Sequence, residues 1–407
     1  MMKKVNAMIF TLMMLTVPLA GCTGDDDGDG AYLIDAGYDY TCAILDDGSV
    51  SCWGNNYYGQ LGDGTTTDRN TSTQTSSLGT DRTAVATSAG AYHTCAILDD
   101  GSVSCWGRNY YGELGEGTGG DQSEDNNKNE PTQTSSLGTD RTAVAITAGK
   151  YHICAILDDG SVSCWGNNEG GQLGDGTTTN RNTPTQTSSL GTGRIAVAIS
   201  AGFFHTCAIL DDESVSCWGD NDYGQLGDGT TTARNTPTPT SSLGEGRTAV
   251  AIDAGDLYTC AILDDGSVSC WGNNYYGQLG DGTTTQRNTP TQTSSLGQYK
   301  GTYRTAVAIT AGTYHTCAIL DIGSVSCWGY NSNGQLGDGT TTDRSTPPTQ
   351  TSSLGEGRTA VAITTGNYHT CAILDDGSVS CWGWNGNGQL GDGTTTDRNT
   401  PTAIEIE

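Results

Sequence analysis

From residue 31 onward the apolar residues fall in short runs separated by turn-forming residues, and no stretch shows helical spacing with caps. One stretch sets the pattern. Thr142 to Thr147 (TAVAIT) is rich in β-forming residues, Ala148-Gly149 turns it, Ile153 to Leu157 is a second run and Ser161 to Trp165 a third. Pro184 to Leu190 reads as a weaker fourth run, edge-like because of its proline. The succession recurs. The segment Thr41 to Gly54 (TCAILDDGSVSCWG) returns, slightly varied, with its first cysteine at Cys42, Cys95, Cys154, Cys207, Cys260, Cys317 and Cys371, at intervals of 53, 59, 53, 53, 57 and 54 residues. That period fits a four-stranded blade and is too long for a leucine-rich or helical repeat. The pattern predicts an all-β chain: a single seven-bladed β-propeller over 31–407, with four short antiparallel strands per blade.

The central hairpin can be laid out residue by residue. If Leu45 pairs with Ser49, Asp46-Asp47-Gly48 forms a three-residue loop with glycine in the left-handed position. Cys42 then lies opposite Cys52 in a non-hydrogen-bonded pair, where Cβ atoms are roughly 4.5–5.5 Å apart, close to what a disulfide needs. The fourth copy has Glu213 in place of the glycine, so its turn is expected to be strained or rearranged. Alternation puts Cys42, Ile44, Val50 and Cys52 on one face and Ala43, Leu45, Ser49 and Ser51 on the other. Neither face is fully polar, as befits a blade held between two neighbours. The chain begins its first copy with a first-strand sequence (Tyr32 to Gly37) and ends on a fourth-strand sequence (Pro401 to Ile406). The expectation is a ring closed by the two termini, which complete one blade together if blade and repeat are offset.

The segment before the repeats is of another kind. Met1-Met2-Lys3-Lys4 is a short basic start, and Val5 to Leu19 is apolar but too short to span a bilayer comfortably. Leu19-Ala20-Gly21-Cys22 resembles the lipobox of prokaryotic lipoproteins. The resemblance implies a signal peptide over 1–21, cleavage before Cys22, and acylation of its thiol. Residues 22–30 are acidic and glycine-rich, which predicts a solvated tether. The formal charge is −28, and loss of Lys3 and Lys4 makes the mature chain more acidic still. Such a surface repels nucleic acid and anionic headgroups, so the membrane is reached through the lipid alone.

Ala-Gly-x-x-His-Thr-Cys-Ala-Ile-Leu, Asp-Gly-Ser-Val, Cys-Trp-Gly-x-Asn and Gly-Gln-Leu-Gly-Asp-Gly together are similar to the regulator of chromosome condensation repeat family, with copies at Ala89 to Leu98 and Gly334 to Gly339. The likeness covers residues 31–407. It implies a seven-bladed propeller and, by way of the founding eukaryotic member, a guanine-nucleotide exchange factor that binds chromatin; other members are secreted inhibitors or scaffolds. The lipobox, the paired cysteines and the charge count against the nuclear role.

Fifteen cysteines resolve into Cys22 and seven C-x9-C pairs: Cys42 with Cys52, Cys95 with Cys105, Cys154 with Cys164, Cys207 with Cys217, Cys260 with Cys270, Cys317 with Cys327, and Cys371 with Cys381. Export to an oxidising compartment favours disulfides, and the spacing is unlike that of zinc sites. His93, His152, His205, His315 and His369 share one repeat position, where Tyr40 and Tyr258 stand in the other two copies. Tyrosine replaces a metal ligand poorly but replaces an aromatic packer with a polar tip well, which favours packing. Gly59 to Gly64 lacks the Lys-Ser/Thr of a phosphate loop, so Leu61 is expected to plug the blade while the glycines turn. The Asp-Gly-Thr-Thr-Thr stretches lack the carboxylates of calcium loops. Arg69, Arg181, Arg234, Arg287, Arg344 and Arg398 share one position, with Lys128 in the second copy, and Arg82, Arg141, Arg194, Arg247, Arg304 and Arg358 share another. Both sets are expected to pair with turn carboxylates, leaving Arg108 over. No catalytic residue, cofactor or metal ligand is predicted.

Function is sought where the copies differ. After each Cys-Trp-Gly comes a variable tetrad: Asn55 to Tyr58, Arg108 to Tyr111, Asn167 to Gly170, Asp220 to Tyr223, Asn273 to Tyr276, Tyr330 to Asn333 and Trp384 to Asn387. Two readings stand side by side: loops for protein or glycan recognition, or turns with tyrosine packed on a neighbour. On the first, the candidate ligand-binding residues are Tyr57, Tyr58, Tyr110, Tyr111, Tyr223, Tyr275, Tyr276, Tyr330 and Trp384. Two insertions, Gly117 to Asn129 and Gln298 to Tyr303, individualise their copies. The resulting expectation is a monomeric, lipid-anchored, cell-surface scaffold that binds an unknown protein or glycan and no nucleic acid; the alternative is a regulator of a GTPase.

Overall fold

A computed structural model describes residues 30–299, 301–347 and 350–406; the signal segment, Cys22 and the tether to residue 29 lie outside the described residues. Blade 1 consists of β1 (Ala31–Ala36), β2 (Tyr40–Leu45), β3 (Val50–Gly54) and β4 (Arg69–Gln74), paired antiparallel in that order. The same meander repeats over 84–133, 143–186, 196–239, 249–292, 306–350 and 360–404, giving seven blades. Their first strands line a common central channel. Helix among the described residues amounts to a single turn, Glu124–Asn126, inside the first insertion. The second insertion folds as a small hairpin, Gln298–Tyr299 against Thr302–Tyr303.

The hairpin has the expected register. Ile44 pairs with Val50 and Cys42 with Cys52, Leu45 N–H donates to Ser49 O at 2.9 Å, and Gly48 has φ +80°. All seven cysteine pairs are bonded within their own copies, with Cα atoms 4.1 Å apart. Both faces of each hairpin are buried. Cys42, Ile44, Val50, Cys52 and Leu61 pack against Ala96, Leu98 and Trp106 of blade 2. Ala43, Leu45 and Trp53 pack against Cys371, Ile373, Cys381 and Leu390 of blade 7.

Two expectations need correction. The fourth strand of blade 3 is Arg181–Gln186, not 184–190. It pairs Thr185 with Cys164, then slips before Arg181 meets Gly166. A bulged, polar rim strand has no apolar alternation to mark its start. In blade 6 it shrinks to two bridges, Gly329 with Arg344 and Ser326 with Gln350, where Pro347 offers no N–H. The second correction concerns closure. Each blade is one continuous segment, so the termini share no sheet. The ring closes by packing of blade 7 on blade 1, supported by the bond from Ala36 N–H to Thr364 Oγ1 at 3.0 Å and from Gly393 N–H to Asn70 O at 2.8 Å.

Six of the seven seams between blades repeat one arrangement. The loop after β3 carries Leu61 into the seam, with Gly59 and Gly62 at φ +79° and +70°. A Cβ on Gly62 would stand 2.7 Å from the Trp106 indole nitrogen, so only glycine fits there. Trp106 Nε1–H donates to Gln60 O at 2.9 Å, and Trp165, Trp218, Trp271, Trp328 and Trp382 make the equivalent bond to the preceding copy at the same distance.

Glu213 adopts φ +64° and the turn keeps its form. The strain shows one bond away: Ala249 N–H reaches Glu213 O at 3.2 Å, against 2.8 Å for Ala84 to Gly48. An L-residue in this region costs about 1–2 kcal/mol. Glu213→Gly is therefore expected to raise stability by about 1 kcal/mol after the entropy of the added glycine. Glu213→Ala, which keeps the strained backbone, should give no such gain. Denaturant midpoints of the two variants and the parent check this.

Candidate binding face

The tetrad loops are built on one buried asparagine. Asn56 Nδ2 donates to Asp63 Oδ1, Thr65 O and Thr67 O at 3.1–3.2 Å, and its Oδ1 accepts from Leu61 N–H at 3.0 Å. Arg69 Nε donates to Asp63 Oδ2 at 2.8 Å and closes the loop. Burial pushes the Asp63 carboxyl up, but bonds from Thr65 and Arg69 outweigh it and hold it below its ordinary range. The same pair recurs at Arg181, Arg234, Arg287, Arg344 and Arg398. At the opposite end of the propeller, Arg82, Arg141, Arg194, Arg247, Arg304 and Arg358 pair with the aspartates of the hairpin turns. Both sets are scaffold, as the shared positions predict.

The loops bring the candidate tyrosines to the mouth of the channel, where they meet rings the sequence reading passed over. These lie in the turn between the first and second strands: Tyr38, Tyr92, Tyr151, Phe203, Phe204, Tyr314 and Tyr368. They are the two x positions of Ala-Gly-x-x-His, and they vary between copies as much as the tetrads do. That variation was the available signal.

Two clusters result. In the first, Tyr58 packs on Tyr57 at 4.8 Å and on Tyr92 at 5.3 Å, Tyr111 on Tyr110 at 4.9 Å and on Tyr151 at 5.5 Å. The Arg108 guanidinium lies over five of these rings, nearest Tyr110 at 4.6 Å and Tyr151 at 4.8 Å. Lys150 Nζ sits 3.6 Å from the Phe203 centroid. In the second cluster Tyr276 packs on Tyr275 at 4.9 Å, on Tyr314 at 5.1 Å and on Tyr330 at 4.7 Å, and Tyr330 on Tyr368 at 5.7 Å. Tyr330 holds the repeat position that Arg108 holds in the first. Between the two clusters, Tyr38 donates across the mouth to Asp256 Oδ2 at 3.3 Å. Burial pushes Asp256 up to about 6 although Lys150 and Tyr38 oppose it.

The structure thus splits the candidates. Tyr57 and Tyr275 are 65% and 73% exposed, and Tyr223 38%. Tyr58, Tyr110, Tyr111, Tyr276, Tyr330 and Trp384 are half-buried. Among the described residues no ring contact joins Tyr223 or Trp384 to either cluster. The packing reading holds for the inner tyrosines, and the outer ones face solvent.

The regulator of chromosome condensation (RCC1) repeat matches this chain seven times, over 47–97, 100–156, 159–209, 212–262, 265–319, 323–373 and 376–407. The chain belongs to that family. Within it, the chain is 32% identical over 374 residues to the ultraviolet-B receptor UVR8 of Arabidopsis thaliana, covering 92% of this chain and 81% of the receptor. It is 30% identical to human E3 ubiquitin-protein ligase HERC2 over 81% of its own length, which is 7% of the ligase. Human WBSCR16 superposes with a TM-score of 0.76 at 21% identity, over 88% of this chain and 95% of that one. Yeast RCC1 (Prp20), solved bound to Kap60, gives 0.75 at 20%, over 88% and 83%. These two likenesses show the RCC1-type propeller fold.

The histidines of the RCC1-type repeats point away from the aromatic face, into the seams, and all five are fully buried. His152, His205, His315 and His369 each place Nε2 2.9 Å from the threonine hydroxyl of the next blade. Each threonine gives its one proton to a glutamine carbonyl, as Thr206 does to Gln172 O at 2.9 Å, so Nε2 is the donor. Burial pushes all five down to about 3. Tyr258 fills the same position by donating to His315 O at 2.6 Å, with its hydroxyl 3.0 Å from Thr316 Oγ1.

These depressed values link folding to acid. The unfolded chain takes up histidine protons near pH 6.5, the folded ring only near 3, so each histidine removes stability as pH falls through that window. His315→Tyr can remake the bond that Tyr258 makes to the next copy's carbonyl, here His369 O. The variant is expected to match the parent at pH 7.5 and to lose less stability between pH 6 and 4. Urea midpoints across that range test it.

Proposed function

We propose that this propeller is a surface-displayed binding module, held at the outer face of a membrane by acylated Cys22 and the tether, which presents its aromatic face to a protein or glycan. One contrast carries the reading. The hairpin-turn face repeats the same Asp-Arg pairing blade after blade. The channel-mouth face gathers the positions that differ between copies, and these are tyrosine, phenylalanine, arginine and lysine. A scaffold that needed only to close a ring would have no use for that difference. Stapled hairpins beneath the loops keep the ordering cost of binding low. Family relatives that act as receptors or as parts of larger ligases fit a regulatory or binding role for the propeller.

Two outcomes follow. Aromatic anchors typically cost about 2 kcal/mol each when truncated. The triple variant Tyr57→Ala, Tyr110→Ala, Tyr275→Ala, which removes the exposed Tyr57 and Tyr275 and the half-buried Tyr110 and leaves Tyr58, Tyr111 and Tyr276 in place, is expected to weaken partner capture at least tenfold while its melting temperature stays within a few degrees of the parent. Unchanged capture would move the site elsewhere. For the anchor, mass spectrometry of the native N-terminus is expected to find a mature chain beginning at an acylated Cys22, and Cys22→Ser should leave the membrane fraction. A mature chain beginning at another residue would refute the anchor.

A further inference from the structure

Three of the departures of copy 2 from the repeat meet at one place on the aromatic face. The tetrad begins with Arg108 where copies 1, 3 and 5 have asparagine. Glu113 replaces the glutamine of the Gly-Gln-Leu-Gly loop; it is fully buried, its Oε2 accepts from Tyr111 N–H at 2.7 Å, and its Oε1 has no hydrogen bond. The Gly117 to Asn129 insertion turns back over the tetrad, with Gln122 N–H donating to Tyr110 O at 3.2 Å.

In copies 1, 3 and 5 the glutamine and the first tetrad residue bond to each other, as Gln60 Nε2 does to Asn55 Oδ1 at 2.6 Å. In copy 2 that bond is gone. Arg108 lies instead over the tyrosine rings, while the Glu113 charge beneath is felt only at a distance. Twelve of the thirteen arginines make an ion pair with aspartate, and Arg108 makes none among the described residues. Lys150 stands beside the same cluster. On a chain of formal charge −28, Arg108 stands at a surface of aromatic rings without an ion pair among the described residues, while Lys150 beside it feels Asp256 across the mouth.

We infer that the copy 2 cluster, with Arg108 at its centre, binds the carboxylate of a uronic acid unit in a saccharide whose acidic units are separated by neutral sugars. The inference rests on the aromatic face being the binding surface. A planar guanidinium matches a carboxylate with two parallel bonds. Tyrosine rings offer flat apolar faces to a sugar ring and hydroxyls to its edges. The second cluster, with Tyr330 in the Arg108 position, offers the same rings without the charge, which suits an adjoining neutral sugar. A dense polyanion is disfavoured by the net charge of the chain, so the carboxylates must be spaced. A peptide is disfavoured because the mouth is made of turns, with no strand edge to extend.

The test uses the full mature protein and a hyaluronan hexasaccharide, in which uronic acid alternates with a neutral amino sugar, beside its carboxyl-reduced form. Calorimetry is expected to show binding of the acid form, weakened at least tenfold by carboxyl reduction and by Arg108→Gln, with Arg108→Lys between. Melting temperatures of both variants exclude misfolding as the cause. Equal binding of the two saccharides, or no binding of either, overturns the inference. So does equally tight, Arg108-dependent binding of a hexaglutamate peptide. Partner capture by the parent that the outer-tyrosine variant loses leaves the wider reading standing in each of those cases, and its absence removes both.

Discussion

Six of the seven seams rest on a bond from a tryptophan indole to a main-chain carbonyl of the preceding copy, that of a glutamine in five seams and of Glu113 in one. Trp106 can reach Gln60 O only because Gly62 lets the indole lie against backbone, and because Leu61 and the Cys42–Cys52 staple fill the rest of the seam. The same carbonyl accepts from Thr94 at 2.8 Å, so one oxygen ties the loop of one blade to two strands of the next. Buried polar groups are costly unless paired, and here the pairing and the apolar packing require the same geometry. In copy 1, at the closing seam, the indole nitrogen of Trp53 has no such partner, although Thr41 still donates to Gln389 O at 3.1 Å.

How much of this was legible follows from which signals are local. The hairpin could be read to the residue because Cys42, Leu45, Gly48, Ser49 and Cys52 constrain one another over eleven positions. The burial of both faces followed from alternation. The rim strand could not be read, since Arg181 to Gln186 has a polar sequence, a proline and a slipped register. Closure was legible only in part: the chain does begin on a first strand and end on a fourth, but whether a terminal strand joins its own blade or completes another depends on long-range packing that no local pattern encodes. At the aromatic face the tetrads were found because they interrupt a repeat. Tyr92, Tyr151, Tyr314 and Tyr368 were missed because they sit inside a motif whose fixed residues draw the eye. Glu113 was missed because glutamate for glutamine changes one atom in a loop whose other residues agree.

The two ends of the ring divide the work between them. At one end aspartate and arginine neutralise each other in the same way around the circle, and the formal charge of the chain is spread over turns that resemble one another. At the other, hydrophobic rings and a few cations stand on loops held rigidly from beneath by Asn56 and its counterparts. Burial of the histidines serves this division too. It keeps them neutral and out of the aromatic face, so the charge of that face does not follow histidine titration.

Because each blade begins and ends within one stretch of chain, a whole copy is a self-sufficient tile. Adding or deleting one cuts no sheet and orphans no strand, provided its tryptophan meets a main-chain carbonyl on one side and its own loop serves the tile on the other. The count of blades is then set by the wedge angle at which two tiles meet, and the channel is the space that angle leaves at the hub. A change that narrowed the wedge, such as trimming the indole, would bear on the curvature of the entire circle, and so on how far apart the aromatic clusters stand across its mouth.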